Sequence, residues 1–228
     1  MTIRRAEERG HSHLEWLDSR HSFSFGEYHD PQQMGHSALR VINDDRVVAG
    51  AGFGTHGHRD MEIISCVLEG VIAHKDSEGN IAELRPGEFQ LMSAGSGIRH
   101  SEFNPSSDQP LHFLQIWIQP NVFGEAPSYQ QKHFAQGPGL TLIASPDGAA
   151  GSMVLKQNAR MYQLVLEPQC TETVLLSSGR KGWVQLISGD LAAGAQLSAG
   201  DGVAISVIEQ LNFVAGDAPV RALVFDLP

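Results

Sequence analysis

Four side chains stand out by type and spacing. In Gly52–Ile63, GFGTHGHRDMEI, one residue separates His56 from His58; in Ala94–Asn104, AGSGIRHSEFN, one residue separates His100 from Glu102. Imidazole nitrogens and carboxylate oxygens are donors for divalent transition ions. Residues i and i+2 of a strand point to one face, so each pair projects together if its segment is extended. The two pairs make one site only if their strands line one cavity. Gly50, Gly52 and Gly54 precede the first pair and Gly95 and Gly97 the second, where tight turns and close backbone approach are then allowed. Glu62 is a further carboxylate that strand parity leaves eligible. Closed structural zinc sites prefer four tetrahedral ligands, often with Cys. Three imidazoles and one carboxylate suit Fe, Cu, Ni, Co or Zn, and an octahedral ion would keep positions for water, substrate or dioxygen.

The elements that must position these donors read as short strands. Twenty-four glycines and eleven prolines punctuate apolar runs at Ala38–Ile42, Met61–Leu68, Phe89–Met92, Leu111–Ile118, Trp183–Ile187, Val203–Val207 and Val220–Phe225. Such lengths predict strands of a sandwich or barrel. Asp76–Asn80 predicts a hairpin turn with Gly79 at positive φ. Asp44 and Asp45 read as a turn, and a short helix is expected around Pro127–Gln131. The order of strand, glycine, turn, x-Gly-acidic, strand and closing strand occurs twice, once ending at Pro120 and again at Pro228. That repetition predicts a duplicated β-barrel. All eleven histidines lie at or before His133, so only the first half can build a histidine site.

Of the remaining histidines, His11, His13, His29 and His133 are expected at the surface. His21 is expected as a hydrogen-bonded packing residue, and His74 and His112 on strands, at solvent or behind the metal ligands. Phe23 and Phe25 are expected in the core.

The bulk properties narrow the field. The 228 residues can bury a sizeable core. Hydrophobic residues at 41% and charged residues at 18% are ordinary for a globular chain. A net charge of -10 disfavours nucleic acid and anionic membrane as partners. The N-terminal MTIRRAEERG has no apolar run behind its charges, and no stretch approaches the ~20 apolar residues of a membrane span. A cytoplasmic location is expected, with Cys66 and Cys170 as reduced thiols.

The residues also carry a family resemblance. Gly50, five residues, then His56-x-His58-x3-Glu62 closing at Gly70 resembles the first cupin motif; Gly87, Gly95, Gly97, His100 and Asn104 loosely resemble the second. HSFSFGEYHDPQQMGHSALRVINDD (His21–Asp45), GFGTHGHRDMEI, GEFQLMSAGSGIRHSEFNPS and the ending VFDLP, in that order, resemble the pirin family of bicupins over nearly the whole chain. The resemblance implies an all-β fold of two tandem cupin β-barrels with few short helices, residues 1–130 holding the metal and 131–228 lacking ligands. It implies metal ligands His56, His58, His100 and Glu102, with Glu62 outside the coordination shell. It implies one divalent metal per chain, iron first, with Cu, Ni, Co, Mn or Zn as alternatives. The implied activity is cleavage of a flavonol such as quercetin by O2 with release of CO, Glu102 taking the 3-hydroxyl proton. The alternative it implies is a metal- or redox-responsive regulator that binds a protein partner. A monomer is expected. Arg20, Cys66 and Ser128 depart from residues common in the family, where Trp, Tyr and Arg respectively are usual; the metal set is untouched.

Overall fold

The computed structural model describes residues 1–176, 178–206 and 210–228. The chain is all-β, with two cupin-type halves, and its described helical segments are single 3-10 turns at Ala6–Glu8 and Ala149–Gly151. Among the described residues, no helix is long and apolar enough to cross a membrane.

Each half packs a seven-stranded sheet against a four-stranded one. In the first half the large sheet runs Ser128–His133, Glu88–Ser93, Glu62–Glu69, Leu111–Ile118, Leu39–Val47, Leu17–His21, Gly10–His13. Its small sheet runs Gly52–His58, Ile98–Phe103, Ile72–Asp76, Ile81–Leu84. In the second half the large sheet runs Thr2–Arg4, Gly202–Ile205, Lys181–Ser188, Val220–Leu227, Arg160–Leu166, Gly139–Ser145, Met153–Val154, and the small one Thr171–Leu175, Gln210–Ala215, Asp190–Ala192, Gln196–Ser198. The two orders correspond position by position, as the repeat predicts. The outermost strand of each large sheet comes from the segment leading into the other half. Thr2–Arg4 pairs with Gly202–Ile205, and Ser128–His133 pairs along its whole length with Glu88–Ser93. Arg5 and the Ala6 amide fix the first exchange on the buried Asp201 carboxylate, at 2.6 and 2.7 Å.

Two local expectations are overturned. Pro127–Gln131 is not helical: Ser128 onward completes the sheet edge, where Glu88–Ser93 supplies its ladder partners. Asp44 and Asp45 are not a turn. They sit inside the nine-residue strand Leu39–Val47, because both carboxyls find donors: Asp44 accepts from His112 on the adjacent strand and from Arg9, and Asp45 accepts from Ser19 on the other adjacent strand. The Asp76–Asn80 turn is present, with Gly79 at φ +92°. Strands occupy every expected apolar run; of Val203–Val207, Gly202–Ile205 is strand and Val207 lies outside the described residues.

Alternation decides what each strand buries. In Glu62–Glu69, Ile64 and Cys66 face the other half and join Phe23, Ile42, Phe89, Met161, Trp183 and Phe225 in one core between the halves. Burial pushes the Cys66 thiol up to about 12, so it stays protonated packing material. Ser65 and Val67 face inward. The interior of the first half holds two separate apolar clusters, one around Val67, Ile72, Leu111 and Phe113, the other around Ile63, Met92 and Ile98. A belt of buried polar side chains lies between them.

Candidate metal centre

The belt is a row of cross-strand neighbours on the large sheet. Gln90 pairs with Ser65, Ser65 with Gln115, Gln115 with Asn43, and Asn43 with His21. The small sheet faces this row with its own. The Gly52–His58 and Ile98–Phe103 strands are adjacent, and His100 lies directly opposite His56. Gly52 permits that approach, since a Cβ there would stand 2.3 Å from the Glu102 carbonyl.

The three imidazoles of the two spaced pairs converge. Nε2 of His100 lies 3.0 Å from Nε2 of His58 and 3.1 Å from Nε2 of His56. Metal–imidazole bonds of ~2.0–2.1 Å at right angles put nitrogens about 3 Å apart, whereas tetrahedral angles would put them about 3.3 Å apart. The separations fit adjacent corners of an octahedron. His56 Nδ1–H donates to the Gly54 carbonyl at 2.8 Å, which turns Nε2 towards the cluster. Burial, and then the neighbouring rings, hold His58 down at about 4 and His100 at about 3, so both are neutral at pH 7. Three imidazole nitrogens turned to one point are the donor set of a cation.

Glu102 is buried at 3% exposure. Its carboxyl accepts from Ser65 Oγ at 3.1 Å and Gln115 Nε2 at 2.8 Å. Burial outweighs those two donors and lifts it to about 7. Its oxygens group with the His74 and His100 nitrogens within 4.8 Å. Glu62 is turned to other work: its Oε2 accepts from Ser93 Oγ at 2.9 Å and from the backbone N–H of Lys156 in the second half at 3.1 Å.

Residues that spacing does not single out complete the surroundings. His74 is fully buried, held by Asp76 at 3.1 Å and Gln90 at 3.1 Å, with its ring 5.4 Å from that of His100. Trp117 stands edge-on to His58 at 4.9 Å. Ser65, Gln115 and Trp117 carry one legible sign: each interrupts or caps an apolar strand on its inward parity. His21 is buried and bonded to Ser12 and Asn43, as expected of a packing residue, and Phe23 is core. Phe25 lines a cavity instead. His11 and His13 are exposed and share the Asp18 carboxylate at 3.1 and 3.2 Å.

A cavity of about 610 Å³ opens onto this group, bordered by His56, His58, Glu102 and Gln115 and walled by Phe25, Tyr28, Phe53 and Trp117. Its volume and mostly apolar walls are those of a small-molecule site.

Comparison with known proteins agrees with this picture. A family profile described as Pirin matches residues 2–118, and one described as Quercetinase C-terminal cupin domain matches residues 142–227. The quercetin 2,3-dioxygenase of Escherichia coli K12 is 47% identical over 227 residues, covering 99% of this chain and 98% of that one. The crystal structure of the bacterial pirin YhhW of E. coli in complex with nickel(II) superposes with a TM-score of 0.96 at 46% identity, covering 100% and 98% of the two chains. YhaK, also of E. coli, gives a TM-score of 0.79 at 36% identity over 90% and 92%.

Proposed function

Because the chain belongs to the pirin family, we propose that it is a quercetinase-type dioxygenase, which binds one divalent transition metal through His56, His58, His100 and Glu102 and opens a flavonol with O2, releasing CO. The observation that carries this reading is the cavity: it joins a metal-spaced trio of imidazoles to a slot with aromatic walls. A regulator would need neither the slot nor its depth. The nickel(II) complex of the E. coli pirin supports a metal in this fold without choosing iron or nickel here.

Bound there, the ion would supply an anchor for the flavonol 3-oxygen and a route for electrons towards dioxygen. The chain's own residues supply the rest. Phe25, Phe53 and Trp117 hold a flat ring system and keep water out. Glu102 receives the 3-hydroxyl proton. Ser65 and Gln115 hold that carboxylate in one orientation, so it needs no reorganisation when the proton arrives. A cation held beside Glu102 would lower its basicity and would acidify the substrate hydroxyl by the same field, which would keep the transfer to Glu102 near balance.

The test is aerobic turnover of quercetin by metal-loaded protein, with CO as readout and rates normalised to bound metal. Glu102→Gln keeps a carbonyl oxygen but removes the base, and turnover per metal should fall about 10²–10⁴-fold. Parent-like turnover per metal would limit Glu102 to holding the ion. Absence of CO from the parent with every metal tried would end the dioxygenase reading.

A further inference from the structure

The polar belt continues past Glu102, away from the histidines. Next to Gln115 lies Asn43, and next to Asn43 lies His21; two residues along the same strands, Asp45 lies opposite Ser19. Parity turns all four inward. Each is 2–3% exposed, and each borders the cavity. With strands ~4.8 Å apart, this second polar group begins about one strand spacing from Gln115 and ends about two away.

Its members are not equally occupied. His21 and Asn43 satisfy each other through Nδ1 and Oδ1 at 2.8 Å, and Ser12 takes His21 Nε2 at 2.9 Å. Asp45 has Ser19 Oγ on Oδ1 and, among the described residues, no other donor and no cation. Neighbouring Asp44 takes Arg9, Arg46 and His112 on the outer face. A buried carboxyl can accept about four hydrogen bonds, so Asp45 is undersupplied in a wall that faces a ligand cavity. It belongs to neither metal-spaced group of this site. The fold does not require it either. The corresponding pair in the second half, two residues from the Tyr162–Leu142 pair, is Leu164 opposite Leu140.

We propose that Asp45, oriented by Ser19, is a hydroxyl-recognition subsite that takes the vicinal hydroxyls of a flavonol's pendant ring, the part of the substrate remote from the metal-bound oxygen. This rests on the flavonol reading above. Phe25, Tyr28 and Trp117 fix the plane of the ligand, and Asp45 fixes which end lies where. A ring without hydroxyls leaves the carboxyl buried and dry, so the subsite selects by penalising the wrong ligand.

The test is anaerobic binding to the metal-loaded full chain, followed by tryptophan fluorescence. The probes are quercetin and galangin, the same flavonol without hydroxyls on the pendant ring. The parent should bind quercetin about 10-fold or more tightly than galangin. Asp45→Leu, which copies the second half, should erase that preference while leaving galangin binding unchanged or stronger. Asp45→Asn is isosteric and guards against a folding defect; it should reduce the preference part of the way. A preference that survives in both variants, or a parent that binds both probes equally, overturns the assignment of Asp45 and leaves the flavonol reading standing. A parent that binds neither probe overturns both.

Discussion

The two halves share one lattice of strands and fill it with opposite chemistry. Gly70 and Gly189 align them: both have positive φ, and a Cβ at either would strike a proline carbonyl, Pro110 or Pro219, at 2.6 and 2.5 Å. Counting from these glycines and following the pairings, His56 and His100 correspond to Val174 and Leu211, and His58 to Leu176. Glu102 corresponds to Phe213 and His74 to Ala193. The belt Gln90–Ser65–Gln115–Asn43–His21 becomes Val203–Val184–Val224–Tyr162–Leu142. The second half therefore closes as one continuous apolar cluster, where the first is split in two. The backbone is indifferent to the choice. The two halves differ at about ten inward positions, and the apolar half shows what these would hold if stability alone mattered.

The largest effect should follow from writing the first half's chemistry into the second. Phe213→Glu places a carboxyl where Val184 and Val224 stand in for Ser65 and Gln115, so nothing donates to it. It also removes a fully buried ring. The loss should be about 4 kcal/mol or more, read from the urea midpoint. A loss under about 1 kcal/mol would mean that the second interior is wet, and the contrast between the halves would collapse.

A second change sharpens the contrast within the first half. His58→Ala should lower metal affinity by more than ~100-fold, about 3 kcal/mol, whereas Glu62→Ala should stay within the ~10–100-fold of a residue behind the ligands. Metal titration of both variants decides it. Equal losses would bring Glu62 to the ion and dissolve the distinction drawn from its bonds to Ser93 and Lys156.

The sequence reads unevenly against this structure, for physical reasons. Donor type and i, i+2 spacing make the pairs His56, His58 and His100, Glu102 legible because strand parity is strict, although parity alone leaves Glu62 eligible too. Leu111–Ile118 is legible to the residue because apolar character ends sharply at both sides. The exchanged edge strands are not legible. Thr2–Arg4 is too short to show alternation, and Ser128–His133, SYQQKH, has polar residues on both faces because it covers an edge and fills little core. Asp44–Asp45 reads as a turn since the strand's outer and inner faces each present an acid there. Only their partners, 26 to 68 residues away along the chain, reveal the difference. The helpers of Glu102 lie between these cases: Ser65 and Gln115 are lone polar residues within apolar strands, a weak sign that gains force only when the two strands pair.

The smallest effect concerns the outer face of the same strand, where the halves differ by one charge. Asp44 corresponds to Gln163, which has no ionisable group to titrate. Burial alone would raise Asp44, yet the hydrogen bond and charge of His112, then Arg9 and Arg46, outweigh it and bring the carboxyl down to about 2 from 3.8. A folded value below the unfolded one means that the native state holds the anion more tightly. The stabilisation is therefore complete above about pH 4 and disappears as pH falls through about 2. With the side chain 13% exposed, the shift is worth about 2 kcal/mol. Asp44→Asn should lower stability by roughly that amount at pH 5 and by almost nothing at pH 2, while Gln163→Asn leaves the pH profile of the parent unchanged in shape. Denaturant midpoints across that window measure the difference. If the Asp44→Asn deficit persisted undiminished at pH 2, the carboxyl's contribution would be one of shape and hydrogen bonding, and the charge that separates the two outer faces would carry no stability.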